Sequence, residues 1–247
     1  GDYVVGTPYQ SAHFTSVKNG AWNDPTTWDL QRIPDLGDEV DILHHVFVPQ
    51  AMPQARCGGL HIHTNASLDL ARMSETSIAQ LHGEAGALLR IALDPDDASH
   101  NRFATTIDAS PFVGTSATVV NYYMLPTAVA KQVLIPEVFN QYEALRFTYT
   151  AQDQVFVLNP ALPSLVVRNT LTLENPDGHT GAMLSFGGVN SPVEGAVTLK
   201  VYGAFDAQNA SLAFAALTAT PNLHILTCKS SARFVGANGV KFPTLPD

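Results

Sequence analysis

Charge, sulfur and helical periodicity are all scarce in this chain, and each scarcity removes a class of protein. Charged residues make up only 14% of the 247, with 13 Lys and Arg against 22 Asp and Glu and a formal net charge of -9. The bases form no run, so no surface is laid out to track phosphates, and nucleic acid is excluded as the expected partner. No stretch reaches the 18 or more consecutive apolar residues that a membrane-spanning helix needs, so no membrane span is expected. The opening Gly1-Asp2-Tyr3 carries neither a basic nor an apolar leader region, so a signal peptide has been removed or there was none. A cleaved tag also leaves an opening glycine, and Gly1 carries no weight. Apolar residues recur at helical spacing only over Ser74 to Leu89, through Ile78, Leu81 and Ala85, and Gly83 and Gly86 weaken that segment. Signatures of nucleophile elbows, phosphate loops and dinucleotide-binding turns are missing.

Present in abundance is the opposite texture. Hydrophobic residues make up 45% of the chain, enough for a large core, and 17 Gly and 16 Pro punctuate it at short intervals. Many short strands separated by turns follow from that pattern. Residues two apart on a strand share a face. Val40 and Ile42 form such a couplet, and Leu60 and Ile62 repeat it 20 positions later; Val46 and Val48 return 22 positions later as Leu68 and Leu70. Two strands per repeat keep step at the period of a solenoid. The couplets continue more loosely through Leu145/Phe147, Leu165/Val167, Leu184/Phe186, Leu199/Val201 and Leu212/Phe214. The fold expected is therefore all-β, a parallel β-helix with an N-terminal cap. A β-sandwich, which also has many short strands, is the alternative. Residues 2–20 read as an N-terminal extension or cap, 21–242 as one β-helix domain, and 243–247 as a linker or truncated tail. Prolines interrupt the period over about 94–138, which reads as an inserted or irregular segment.

The entry stretch from Asn19 through Trp22 to Trp28, followed by Pro34, Gly37-Asp38-Glu39-Val40 and Cys57-Gly58-Gly59-Leu60-His61-Ile62, resembles the opening of secreted bacterial cell-surface β-helix proteins. It is also similar to the eight-glycine extracellular domain of animal cell-surface proteins. The resemblance covers about 50 residues strongly and about 80 more weakly. It implies a right-handed parallel β-helix, secreted or at the cell surface, of adhesive or architectural kind, and it implies no defined chemistry.

Candidate sites follow from strand phase. Four of the nine histidines, His44, His45, His61 and His63, lie within 20 positions. Stacking by the 20-residue repeat places outward-facing His61 and His63 over Asp41 and Leu43, and a His-x-His pair about 4.8 Å from a carboxylate suits Zn²⁺. The competing reading of Asp41, His61 and His63 is an ordinary solvated flank. His44, on the inward phase, reads as a core or coil-cap residue. Asp94, Asp96 and Asp97 offer hard oxygen ligands for Ca²⁺ but lack the glycine and distal glutamate of a helix-loop-helix site, and serve equally as turn formers. Tyr122 and Tyr123 are adjacent and face opposite ways, so one ring is expected to be available to a sugar. Trp22 and Trp28 are expected to plug the open end of the first coil. No catalytic residue stands out.

The function expected is a non-enzymatic, extracytoplasmic structural or adhesive module that contacts polysaccharide, glycan or other cell-surface proteins. A polysaccharide lyase or glycoside hydrolase on the same scaffold, and a fibre or spike segment, are the alternatives. Cys57 and Cys228 are 171 positions apart, which a straight solenoid converts to roughly 40 Å, far beyond the ~7 Å limit for a disulfide. Alkylating the unreduced, denatured protein should therefore add two adducts by intact mass; a mass showing none would contradict the solenoid.

Overall fold

The structure is a computed structural model describing residues 10–50, 55–136, 139, 141–158, 164–186, 198–214, 222–229 and 233–236. Residues 2–9 and 243–247, assigned above to the extension and the tail, lie outside the described residues. The described residues form a parallel β-solenoid of about seven turns and include almost no helix.

Ten strands build the first part: β1 (His13–Thr15), β2 (Gly20–Ala21), β3 (Glu39–Ile42), β4 (His45–Val48), β5 (Ala55–Ile62), β6 (Ser67–Leu70), β7 (Thr76–Gly83), β8 (Leu88–Leu93), β9 (Val119–Met124) and β10 (Gln132–Leu134). Ten more follow: β11 (Gln141–Tyr142), β12 (Ala144–Thr148), β13 (Val155–Leu158), β14 (Ser164–Val167), β15 (Leu171–Glu174), β16 (Met183–Phe186), β17 (Thr198–Ala207), β18 (Ser211–Phe214), β19 (Asn222–Lys229) and β20 (Arg233–Gly236). Every pairing between them is parallel, and the paired strands come from successive coils. A four-stranded sheet runs β1-β3-β5-β7, a five-stranded sheet runs β10-β13-β16-β18-β20, and the longest path runs from β2 through β4, β6, β8, β9, β12 and β15 to β17, where β14 and β11 join it. β17 joins two flanks because it is long and bends at an irregularity between Val201 and Ala204. Gly203 sits in that bend, where a side chain would strike the Asn169 carbonyl.

The inward residues make columns that run the length of the stack. Val46, Leu68, Leu89, Val120, Leu145, Leu171 and Phe205 occupy one register, and all are buried. Val48, Leu70, Ile91, Tyr122, Phe147, Leu173 and Ala207 form the next, and Val133, Phe156, Leu184 and Leu212 line the third sheet. Burying one such side chain contributes about 1.5–3 kcal/mol. An exposed ion pair on the outside contributes about 0.2–1 kcal/mol, so the inward columns decide the register.

Three local results depart from the sequence pattern or refine it. Ser74 to Leu89 is not helical: a 3-10 turn, Met73–Glu75, leads into β7 and then β8, and Gly83 sits where the Ile42–Ile62 column lacks a side chain. The Phe112 ring fills that space, brought there by the single α-turn α1 (Ser110–Val113). The segment around 94–118 is irregular yet keeps the stack, because Asp108 forms a parallel bridge with Gln80 and replaces a regular strand on the coil after β7. At the start of the second coil Asp38 is fully buried and accepts hydrogen bonds from the Ala12 and Asp35 amides at 2.8 and 2.9 Å while Arg32 reaches it at 3.4 Å. Cys57 is free and buried, and burial pushes its thiol pKa well above the ordinary value.

Phe147 packs against Tyr122 and Phe156 with no exposed surface, so Phe147→Ala should cost about 3–5 kcal/mol in urea unfolding. Leu36→Ser, at a half-exposed cap position, should stay within about 0.5 kcal/mol. Equal effects from the two would contradict the assignment of the core.

Candidate functional site

Strand phase sends Asp41, His61 and His82 outward on β3, β5 and β7, and the register stacks them directly: Asp41 pairs with His61 and His61 with His82. His63, two residues beyond His61, returns to the same flank just after β5 ends. The two imidazoles stack face to face, with centroids 4.2 Å apart and planes 28° from parallel. Asp41 Oδ1 lies 3.2 Å from His63 Nε2 and 3.9 Å from His61 Nδ1. On the far side, Glu84 Oε1 lies 3.2 Å from His63 Nδ1 and 3.8 Å from His61 Nε2. One carboxylate therefore stands at each edge of a stacked histidine pair.

Both carboxylates are held in place by other groups. Asp41 Oδ2 bonds His13 Nε2 at 2.7 Å, and Glu84 Oε2 accepts from the Thr64 amide and hydroxyl, each at 2.8 Å. Burial would raise the Asp41 pKa, but the hydrogen bond to His13 and the closeness of the His13 and His63 imidazoles outweigh it and hold the carboxyl below its ordinary value. The Thr64 hydroxyl, then its amide, lower Glu84. His61 is lowered too, first by burial and then by the neighbouring His63, against the pull of Asp41 and Glu84. Near neutral pH the site thus holds two anionic carboxylates and an unprotonated His61. Asp41, His61 and His63 each offer one donor atom, all within 4.8 Å of one another. Nitrogen and oxygen donors in that number are what a transition metal ion binds.

The other sequence candidates separate. Asp94, Asp96 and Asp97, the Ca²⁺ candidates, each accept hydrogen bonds from neighbouring groups. Asp94 accepts from the Asp96 and Asp97 amides and from His100, Asp96 takes the Val129 and Ala130 amides, and Asp97 caps Ser99. They are turn and loop ties. Tyr122 offers no face to a ligand: it is fully buried, and its hydroxyl meets that of Tyr142 at 3.1 Å. The phase of β9 points Val120, Tyr122 and Met124 inward, which leaves Tyr123 outside. Its hydroxyl donates to Asp69 at 2.6 Å, and the Arg90 guanidinium lies 4.8 Å from its ring centroid. Trp22 and Trp28 are buried in the first coil, packed edge to face at 5.1 Å, and Trp28 Nε1 donates to the Trp22 carbonyl. His44 Nδ1 bonds the Ser16 carbonyl at 2.8 Å, and His45 Nδ1 bonds the Ser67 hydroxyl at 2.6 Å.

Sequence reasoning missed Glu84, His13 and His100. Extending the 20-residue repeat one coil beyond His63 would have found Glu84. His100 approaches Asp94 at 2.7 Å across the 3-10 turn Ala98–Asn101, a local contact that no strand periodicity signals. Beside that turn, Asp94, Arg102, Thr105 and Gln132 help line a cleft of about 760 Å³ next to β10.

In comparisons with known proteins, the chain matches no family model, no curated protein and no solved structure.

Hydrogen bonds also lower Asp24, Asp96, Asp97 and Asp108. A carboxyl whose folded pKa is depressed adds stability above its unfolded pKa, about 3.9 for Asp and 4.3 for Glu, and that stability is lost as pH falls through the folded value. His61, also depressed, acts in the same direction as pH falls through about 6.5. Calorimetric Tm should therefore decline on acidification from neutral pH, most steeply below about pH 4. A Tm that holds level down to about pH 3 would contradict these assignments.

Proposed function

We propose that this protein is a non-enzymatic, extracytoplasmic structural or adhesive β-helix module that presents one flat flank to glycans or other cell-surface molecules. The observation that carries this reading is the outward face of the longest sheet. Phe47, Asp69, Arg90, Asn121, Arg146 and Thr172 share one outward register on six successive coils, spaced by about 4.8 Å, with Asn121 covered by its neighbours and the other five reaching the surface. Tyr123, Thr148 and Glu174 form the column beside it.

These side chains hold one another in fixed positions. Arg90 Nη1 donates to Asp69 Oδ2 at 2.6 Å, and the Thr148 hydroxyl bridges Asn121 and Glu174 at 3.0 and 2.8 Å. Donors, acceptors and one aromatic edge fixed on rigid strands suit a polyhydroxylated ligand, because little ordering entropy remains to be lost on binding. The resemblance of the Trp22 to Ile62 entry segment to secreted surface proteins supports the location.

A second reading, a polysaccharide-active enzyme, draws on one place: the cleft beside β10, which Asp94 lines; His100, 2.7 Å from that carboxylate, does not itself line it. A glycan array run beside reducing-end and unsaturated-product assays separates the two. Binding without turnover, weakened about tenfold or more in Arg90→Ala and Arg146→Ala, is the expected result. Turnover abolished by Asp94→Asn, which alters a residue lining the cleft, would replace this reading with the second, and binding indifferent to both arginine changes would remove the flank from it.

A further inference from the structure

We propose that Asp41 Oδ1, His61 Nδ1 and His63 Nε2 form a binding site for a divalent transition metal ion of Zn²⁺ type, which clips the second and third coils together. This goes beyond the adhesive reading and does not depend on it. The argument starts from His63. Its Nδ1 faces Glu84 Oε1 at 3.2 Å, and Glu84 is fixed by Thr64. Asp41 stands at Nε2 at the same 3.2 Å as Glu84 at Nδ1; in the tautomer with the ring proton on Nδ1, toward Glu84, the lone pair is on Nε2. That lone pair points into the protein: Nε2 is closed off from water and makes no hydrogen bond. What it faces is Asp41 Oδ1 at 3.2 Å, a contact that has the distance of a hydrogen bond without the required angle. Two electron-rich atoms facing each other in a half-buried site repel unless a positive charge lies between them.

The dimensions fit a metal ion better than a proton. Metal–ligand bonds of about 2.0–2.1 Å in a tetrahedron put donors about 3.3 Å apart. Here Asp41 Oδ1 is 3.2 Å from His63 Nε2 and 3.9 Å from His61 Nδ1, with all three donors within 4.8 Å of one another, and binding requires His61 to turn out of its stack on His63. Two imidazoles and a carboxylate match the preference of Zn²⁺ and its neighbours over Ca²⁺ or Mg²⁺. Supporting carboxylate and histidine partners are in place: Glu84 at His63, and His13 at Asp41 Oδ2 at 2.7 Å. Such partners orient the ligands and fix their tautomers.

The site draws on four coils through β1, β3, β5 and the turn after β7, and its ligands come from the second and third. An ion bound there joins coils otherwise held by backbone ladders and the core, and stabilises the folded state in proportion to its concentration over Kd. Three protein donors leave a fourth position toward solvent, for water.

The test uses the whole chain after chelator treatment, titrated with Zn²⁺ by calorimetry and with Co²⁺ by visible absorption. One equivalent of Zn²⁺ should bind with micromolar or tighter Kd and raise Tm, and Co²⁺ should give the visible bands of a low-coordinate nitrogen and oxygen site. Asp41→Asn, His61→Ala and His63→Ala should each weaken binding by more than about 100-fold, and Glu84→Gln by about 10–100-fold. His45→Ala, on the other sheet, should bind as the parent does. Far-UV circular dichroism shows whether each variant keeps the fold. Absence of saturable binding by the parent, or binding that survives both Asp41→Asn and His63→Ala, overturns the proposal: it would make the cluster an imidazolium bridging two carboxylates.

Discussion

Everything in this molecule depends on one constraint: an inward residue of each coil must land on an inward residue of the next. A parallel ladder fixes the spacing along the stack, and side-chain alternation fixes which residues face the core. A slip of one residue would turn Val46, Leu68 and Leu89 out to water together. At about 1.5–3 kcal/mol per buried side chain, such a slip over even two coils would cost more than the outward hydrogen bonds and ion pairs return. The register is therefore set from inside, and outward residues inherit their neighbours from it. Asp41 meets His61 because Val40 meets Leu60.

That inheritance explains why the fold was more legible than the chemistry. The couplets Val40/Ile42 with Leu60/Ile62, and Val46/Val48 with Leu68/Leu70, are paired in the structure as their spacing requires. Two of the coils could thus be read from apolar alternation alone. Where alternation fails, reading fails with it. In Val119 to Met124 both faces carry apolar or aromatic residues, so sequence could not say that Tyr122 turns inward, and its buried hydroxyl is satisfied only because Tyr142 stands 3.1 Å away. Nor does any period announce that Asp108 takes the place of a strand, or that Phe112 fills the gap at Gly83.

The histidine flank shows how far local reading reaches. Placing His61 and His63 over Asp41 required one repeat length and strand phase. The surrounding groups come from coils before and after: His13 lies 28 positions from Asp41, and Glu84 lies 20 from Thr64. Their roles depend on side-chain reach across the stack, which repeat length does not encode. The acidic triplet Asp94, Asp96 and Asp97 is engaged in the opposite way, by near neighbours. Short carboxylates in a Pro-containing loop find backbone amides first.

The central claim, one continuous in-register stack, has a direct measure in distances along the outward column. With Cys57 and Cys228 replaced, nitroxide pairs linking position 47 to 146, 172 and 206 span four, five and six coil steps. Pulsed electron resonance should return mean distances that lengthen by about 4.8 Å at each step, near 19, 24 and 29 Å. Distances that fail to rise in that order, or that cluster at one value as in a closed sandwich, would contradict the account.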